Sequence, residues 1–316
     1  MRGYANKLTM LLAATIVAAT TALAAHAAPA GSPSRQADPV PTATVAAADV
    51  TASLRPLSPM PQPGAMPAGS YMRRIQERGR LIVGVNQDNY RVGYLNPQTG
   101  ELEGFDIEIA KLVALAIFGD ETKIQYKAVV SATRIPMLQA GEVDMVVSTF
   151  TINAQRKEQI LFSEVYYQAG QKVLVARDSQ ATGVQDLSGK RVCSPKGSTS
   201  AKQVVAMNPS VVLVESTTFT ECLVLFQLDK VDAITTDDVI LAGLAAQDPF
   251  RTKIVGEQFS KEPYGIGVNK EHPDFVRFIN GVLQKAKADG TWKRIYNQWL
   301  GQFMGPAEPP KGTYVD

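Results

Sequence analysis

The segment Leu138-Gln-Ala-Gly-Glu-Val-Asp144 returns as Phe226-Gln-Leu-Asp-Lys-Val-Asp232, and this internal copy constrains the fold more than any other feature. Each copy reads as the end of an amphipathic helix, a tight turn and a buried apolar strand, Val143–Val147 in the first and Val231–Ile234 in the second. A helix feeding a strand through a short turn is the unit of an α/β layer, where the strand is covered on both faces. Two such units far apart in one chain predict two similar lobes. A length of 316 residues suits about two domains.

The flanking patterns extend both units. From Met72, apolar runs alternate with amphipathic stretches: strand Leu81–Val85, helix Asp106–Phe118, strand Lys123–Tyr126 and helix Ser131–Ala140. From Lys190 a second set runs through strand Arg191–Cys193, helix Thr199–Ala206, strand Val211–Val214, helix Thr218–Leu228, strand Val231–Ile234 and helix Asp237–Ala246. Strand Tyr264–Val268, helix Asp274–Ala288 and the tryptophan-bearing stretch Thr291–Leu300 follow. Extended crossings between lobes are expected near Tyr167–Val173 and Ser260–Gly265, where Gly170, Gly265 and Gly267 tolerate changes of φ.

Residues 1–27 read as a signal peptide, with Arg2 and Lys7 at the basic end, an apolar run Leu8–Ala25, and a small-x-small site at Ala25-His26-Ala27. The alternative is an uncleaved anchor, although a run rich in Ala and Thr is weakly hydrophobic. Either way the chain is expected outside the cytoplasm, periplasmic or extracytoplasmic. No cysteine lies near the cleavage site, so N-terminal lipid attachment is not expected. Nine of the 19 prolines fall in Ala28–Ser70, which has no helical or strand period, so residues 28–71 are expected to be a disordered leader. Pro306, Pro309 and Pro310 mark residues 305–316 as a loose tail.

Without Arg2 and Lys7 the basic residues fall from 32 to 30, against 30 acidic, so there is no nucleic-acid footprint. Cys193 and Cys222 form an even pair, which in an exported chain reads as a disulfide, the alternative being two buried thiols. No metal or other cofactor is expected, because no His/Cys/carboxylate cluster has ligand spacing. Catalysis finds little support: after cleavage the only histidine is His272, placed before Pro273, and no serine sits in a nucleophile elbow.

The chemistry concentrates in residues 141–167. Strand Val143–Val147 runs into the hydroxyls Ser148, Thr149 and Thr151, and Arg156 follows. Open α/β sheets bind ligands at the carboxyl ends of their strands, and a guanidinium matches a carboxylate with two parallel hydrogen bonds. Arg156 is equally what a solvated helix residue beside Lys157 looks like; its hydroxyl neighbours favour the anion site. Aligning the internal copies sets Thr149 against Asp237. Asp237 also suits an N-cap, a duty that Asp238 can take instead. Arg156 and Asp237 together offer the two charges that complement a zwitterion. Lys196-Gly-Ser-Thr199 lies between a strand and a helix start, where N–H groups favour an anion, but it lacks the spacing of a phosphate loop. Ser131 and Arg134 sit one helical turn apart, as a cap and a surface cation also would.

The stretch Gly104-Phe-Asp-Ile-Glu-Ile-Ala-Lys-Leu-Val-Ala114 resembles the signature of the family 3 extracellular solute-binding proteins, which serve polar amino-acid ABC transporters. The resemblance extends over roughly Arg74–Leu300, through Leu81-Ile-Val-Gly-Val85, Arg134–Asp144, Arg156-Lys157 with Phe162-Ser163, Gly189-Lys-Arg-Val192 and Asp232–Asp238. It implies the two-lobe α/β periplasmic-binding-protein fold (type II, Venus-flytrap), with lobe 1 at residues 72–168 and 264–304, lobe 2 at 169–263, and two hinge crossings. It further implies that Arg156 takes the α-carboxylate of one amino acid, helped by N–H groups at Thr151, Ser198 and Thr199. Asp237, with Thr149 and Thr151, would take the α-ammonium. Ser131 and Arg134 resemble a pair that contacts the side-chain carboxylate in glutamate/aspartate-binding members. Those members carry an arginine just after the first strand, where this chain has Asn86. The chain is most similar to a glutamine-binding-like actinobacterial subgroup with a Pro-rich leader and a cysteine pair. The implied ligand is an acidic amino acid or its amide, and the implied partner an ABC permease or a membrane sensor protein, with the binding protein a monomer. A dehydratase on the same fold is the enzymatic alternative.

Overall fold

In the computed structural model, which describes residues 49–316, the chain enters lobe 1 through β1 (Ser53–Leu54) and helix α1 (Tyr71–Arg78). There follow β2 (Leu81–Val85), a small antiparallel sheet of β3 (Asp88–Asn89), β4 (Gly93–Leu95) and β5 (Leu102–Glu103), and then α2 (Phe105–Phe118). Next come β6 (Ile124–Ala128), α3 (Arg134–Gln139), β7 (Met145–Val146), α4 (Ala154–Lys157) and β8 (Leu161–Phe162). The first crossing is β9 (Tyr167–Ala169).

Lobe 2 holds β10 (Gln171–Ala176), β11 (Arg191–Pro195), α5 (Thr199–Met207), β12 (Val212–Ser216), α6 (Phe219–Gln227), β13 (Ala233–Asp237), α7 (Asp238–Gln247) and β14 (Thr252–Val255). The chain returns through β15 (Glu262–Tyr264), antiparallel to β9, into β16 (Gly267–Val268), α8 (Pro273–Ala288), α9 (Thr291–Tyr296) and finally β17 (Tyr314–Val315).

The two lobes have the same sheet. Lobe 1 is ordered β6-β2-β7-β16-β8 and lobe 2 β12-β11-β13-β10-β14, five strands each. In both, the first three pair in parallel and the remaining two join antiparallel. Alternate side chains of a strand feed opposite faces. Val173, Val175, Val192 and Ala233 pack with Val184, Leu187 and Val204, whereas Leu174, Cys193 and Ile234 face Leu223, Phe226, Leu241 and Leu244. This double coverage is why the strands read as unbroken apolar runs. Gly84 is required in β2, because a Cβ there would lie 2.9 Å from methyls of both Val129 and Val146.

Four expectations change. Strand Tyr264–Val268 is broken at Gly265 into a crossing strand and a sheet strand. The crossing segment Tyr167–Val173 ends early, since Gln171 already pairs with Asp237 in the lobe 2 sheet. Residues 49–70 of the supposed disordered leader are ordered. Ser53 Oγ donates to Phe162 O at 2.8 Å, Asn280 Nδ2 donates to Ser53 Oγ and Leu54 O at 2.8 and 2.6 Å, and Met66 is buried. Lys157 Nζ holds Val50 O and Ala52 O at 3.1 and 2.7 Å. The tail is not loose either: β17 pairs in parallel with β1, and the Tyr314 hydroxyl donates to the buried Glu164, itself bound by Lys287 at 2.7 Å. Widely spaced apolar residues show no period by themselves; the surface that receives them exists only once lobe 1 has folded. Residues 1–27 and 28–48 of the expected signal peptide and leader lie outside the described residues.

Cys193 on β11 and Cys222 on α6 form a disulfide inside lobe 2, spanning 29 residues, with Cα atoms 5.6 Å apart.

Candidate functional site

Short helix α4 presents Arg156. Asn153 caps it, its Oδ1 accepting the Arg156 N–H at 2.9 Å. The side chain folds back so that Nη1 donates to Thr151 O at 2.7 Å, and Nη2 reaches Gly197 O in lobe 2 at 3.4 Å. Burial pushes the guanidinium down to about 10, so it stays charged at neutral pH. Phe150 lies under it, its ring centroid 5.0 Å from Arg156 Cζ and 4.2 Å from Arg134 Cζ.

Arg134 is buried at the start of α3, with two of its three guanidinium nitrogens turned to backbone. Its Nη1 donates to Ser148 O at 2.8 Å and Thr149 O at 3.3 Å, and its Nε to Ser131 O at 3.4 Å. Burial, and then the neighbouring charge of Arg156, drive it well below the ordinary guanidinium range. Asn86 at the end of β2 accepts from the Ser148 hydroxyl and donates to Val129 O at 3.4 Å. Residue 86, just after the first strand, is therefore a neutral amide engaged within lobe 1.

Asp237 ends β13 at the N-cap position of α7 without capping it. Asp238 caps its own helix instead, accepting from the Val239 N–H at 2.8 Å. That leaves the Asp237 carboxylate to the Tyr264 hydroxyl, which donates to Oδ2 at 2.5 Å, and to Ser200 Oγ at 3.5 Å from Oδ1. Burial and then the charge of Glu262 push Asp237 up to about 8, against the pull of the Tyr264 bond and Arg156. Arg156 and Asp237 form no ion pair with each other among the described residues.

Ser198 caps α5, its Oγ accepting the Ala201 N–H at 3.1 Å while its own N–H is taken by Pro195 O. Thr199 is the first residue of the helix, where the N–H has no intrahelical acceptor. Its hydroxyl donates to Glu262 Oε2 at 2.8 Å. Thr151 is bridged to Tyr264 on the second crossing.

The lobes are closed on one another. Thr220 Oγ1 of lobe 2 donates to Asp88 O at 2.9 Å, and Lys202 Nζ to Gln155 Oε1 at 2.8 Å. Gly197, with φ +78°, approaches Ala132 so closely that a Cβ would sit 3.0 Å from its Cα. Of the nine predicted residues, Arg156 reaches Gly197 across the lobes and Ser131 and Ser198 adjoin the Ala132–Gly197 approach, Thr151, Thr199 and Asp237 meet β15, and Asn86, Arg134 and Thr149 are hydrogen-bonded within lobe 1. Glu262, Tyr264 and Phe150 were missed. Glu262 and Tyr264 share one face of β15 because they are two apart in a strand; a carboxylate two residues before a tyrosine in a crossing segment was the available signal. Asn89, between lobe contacts at Asp88 and Tyr90, is buried with neither amide atom hydrogen-bonded within the protein.

The chain belongs to the bacterial extracellular solute-binding proteins, family 3, whose family model matches residues 81–302. It is 40% identical over 235 residues to the ABC transporter glutamine-binding protein GlnH of Bacillus subtilis, covering 74% of this chain and 85% of that one. It is 35% identical over 237 residues to the glutamate-binding protein GluB of Corynebacterium glutamicum, with 72% and 80% covered. Among solved structures, an ancestral arginine-binding protein bound to glutamine matches with a TM-score of 0.65 and 36% identity, over 71% of this chain and 99% of that chain. No helix among the described residues is long and apolar enough to cross a membrane.

Proposed function

We propose that the protein binds one acidic amino acid or its amide between its lobes and delivers it to an ABC importer. Arg156 receives the α-carboxylate, with N–H groups at Thr151 and Thr199 beside it. Asp237 receives the α-ammonium, near the Thr149 and Thr151 hydroxyls. The observation that carries this reading is a buried guanidinium, Arg156, and a buried carboxyl group, Asp237, on facing lobes that do not pair with each other. A zwitterion placed between them satisfies both, and closure follows because only the closed form offers both at once. Relatives that are glutamine- and glutamate-binding transport proteins support the ligand class.

Within that class the amide fits better. Arg134 gives its Nε and Nη1 to three carbonyls, and the position just after the first strand holds the neutral amide of Asn86. An added ligand carboxylate would meet an amide and no cation at Asn86. Calorimetry with L-glutamine, L-asparagine, L-glutamate and L-aspartate tests this reading: tightest binding by glutamine or asparagine is expected, and silence with all four would end it. The protein is read as a binding protein rather than an enzyme; incubation with prephenate should leave the substrate unchanged.

A further inference from the structure

Thr149 is one of three described residues other than glycine with a left-handed φ, +42°. It is β-branched, so this backbone conformation is strained and persists only if its surroundings impose it. It also lies just beyond β7, where the chain leaves the lobe 1 sheet and turns toward the clamp.

The restraint comes from two sides. On the carbonyl side, Arg134 grips Ser148 O and Thr149 O. On the amide side, the Thr149 N–H donates to Asp106 Oδ2 at 2.8 Å, and the Tyr166 hydroxyl donates to Oδ1 of the same carboxylate at 2.8 Å. Asp106 is only 1% exposed.

Helix capping does not explain Asp106. The N-cap of α2 is Gly104, and the N–H groups of Phe105 and Asp106 are already satisfied by Arg91 O and Val92 O at 2.9 and 2.8 Å. That close approach is why residue 104 is glycine: a Cβ would fall 2.4 Å from Val92 O. The hairpin therefore caps the helix and releases the Asp106 carboxylate for residues 43 and 60 positions away in sequence. Arg134 is the charged group that faces it.

We propose that Asp106 is a positioning residue for amino-acid binding: it fixes Thr149 in its strained conformation and so sets the path of Phe150 and Thr151, on which Arg156 rests. The Gly104-Phe-Asp106 stretch then shapes the ligand seam from outside it. This inference rests on the amino-acid-binding reading above.

A double-mutant cycle between Asp106→Asn and Thr149→Gly, with L-glutamine and L-glutamate titrated by calorimetry, tests it. Glycine takes a positive φ without strain, so it should need the restraint far less. Asp106→Asn alone should weaken binding of the preferred ligand at least tenfold, and in the Thr149→Gly background less than threefold. Equal losses in both backgrounds, or wild-type affinity for Asp106→Asn, would overturn the proposal. Wild-type protein that binds neither ligand would instead count against the functional reading itself. Should Asp106→Asn not fold, Asp106→Glu, which keeps the charge but displaces it by one methylene, enters the same cycle with the same criteria.

Discussion

The two lobes are built on one sheet topology, yet they finish the corresponding strand differently. In lobe 2, β13 runs straight through five residues, and Asp237 at its end still pairs with Gln171 of β10. In lobe 1, β7 stops after two residues, and Asp106 and Arg134 draw the following turn away from the sheet. One lobe thereby presents a carboxylate fixed by its strand. The other presents hydroxyls and a guanidinium carried on a turn held by side chains. A duplicated unit has become asymmetric through the partners of its strand end, with the sheet itself left alone.

The lobes are also locked differently. Lobe 2 is cross-linked by Cys193–Cys222. Lobe 1 is strapped by the chain ends, through β1, β17, Asn280 and Lys157. A covalent link acts chiefly by restricting the unfolded chain, whereas the strap acts through contacts made only in the folded one.

The comparison breaks most visibly at the clamp. Arg156→Ala and Asp237→Ala should each cost about 3–5 kcal/mol of binding, the range for removing one partner of a buried charge pair. Calorimetry should therefore detect little or no binding in either, and retained affinity in one alone would mean that only one lobe holds the ligand. Next, Cys193→Ser with Cys222→Ser should cost about 3–4 kcal/mol of stability on the chain-entropy model for a loop of this length. Hydrogen exchange should show the loss in β11 and α6 ahead of lobe 1.

Asn280→Ala removes the donors to Ser53 Oγ and Leu54 O, and should cost about 1–3 kcal/mol. Protease cleavage between residues 49 and 60 should accelerate, with lobe 2 exchange unchanged. The smallest effect is pH-dependent. In the closed form Asp237 titrates at about 8, and the ligand ammonium favours its carboxylate. Binding must then expel a proton below that pH, so affinity falls as pH drops from 8, by at most about tenfold per unit. Asp237→Asn removes this slope, and a wild-type affinity independent of pH between 6 and 8 would contradict it.

Much of this was legible in the chain. The copied Leu138–Asp144 and Phe226–Asp232 segments announced two lobes because helix–turn–strand periodicity is local, and the copy placed Thr149 against Asp237. Local patterns also singled out Arg156 and the helix start at Ser198 and Thr199. They could not assign Arg134, whose spacing from Ser131 describes a helix face and says nothing of which carbonyls lie opposite. Asp106 looked like an ordinary acidic residue of a helix first turn, because the hairpin that caps α2 in its place is formed by Arg91 and Val92. Glu262 and Tyr264 were hidden in a segment that read only as a connection.

The sequence by itself determined the alternation of α and β, the duplication, the oxidisable cysteine pair and the residue types of the proposed zwitterion clamp, since each depends on neighbours along the chain. The tertiary structure decided the rest: that residues 49–70 strap lobe 1, that the cysteines meet, that the Tyr264 hydroxyl binds Asp237, and that Thr149 is held in a strained conformation. Each of these is a contact between groups distant in sequence, and no period or spacing specifies a partner that folding must first bring near.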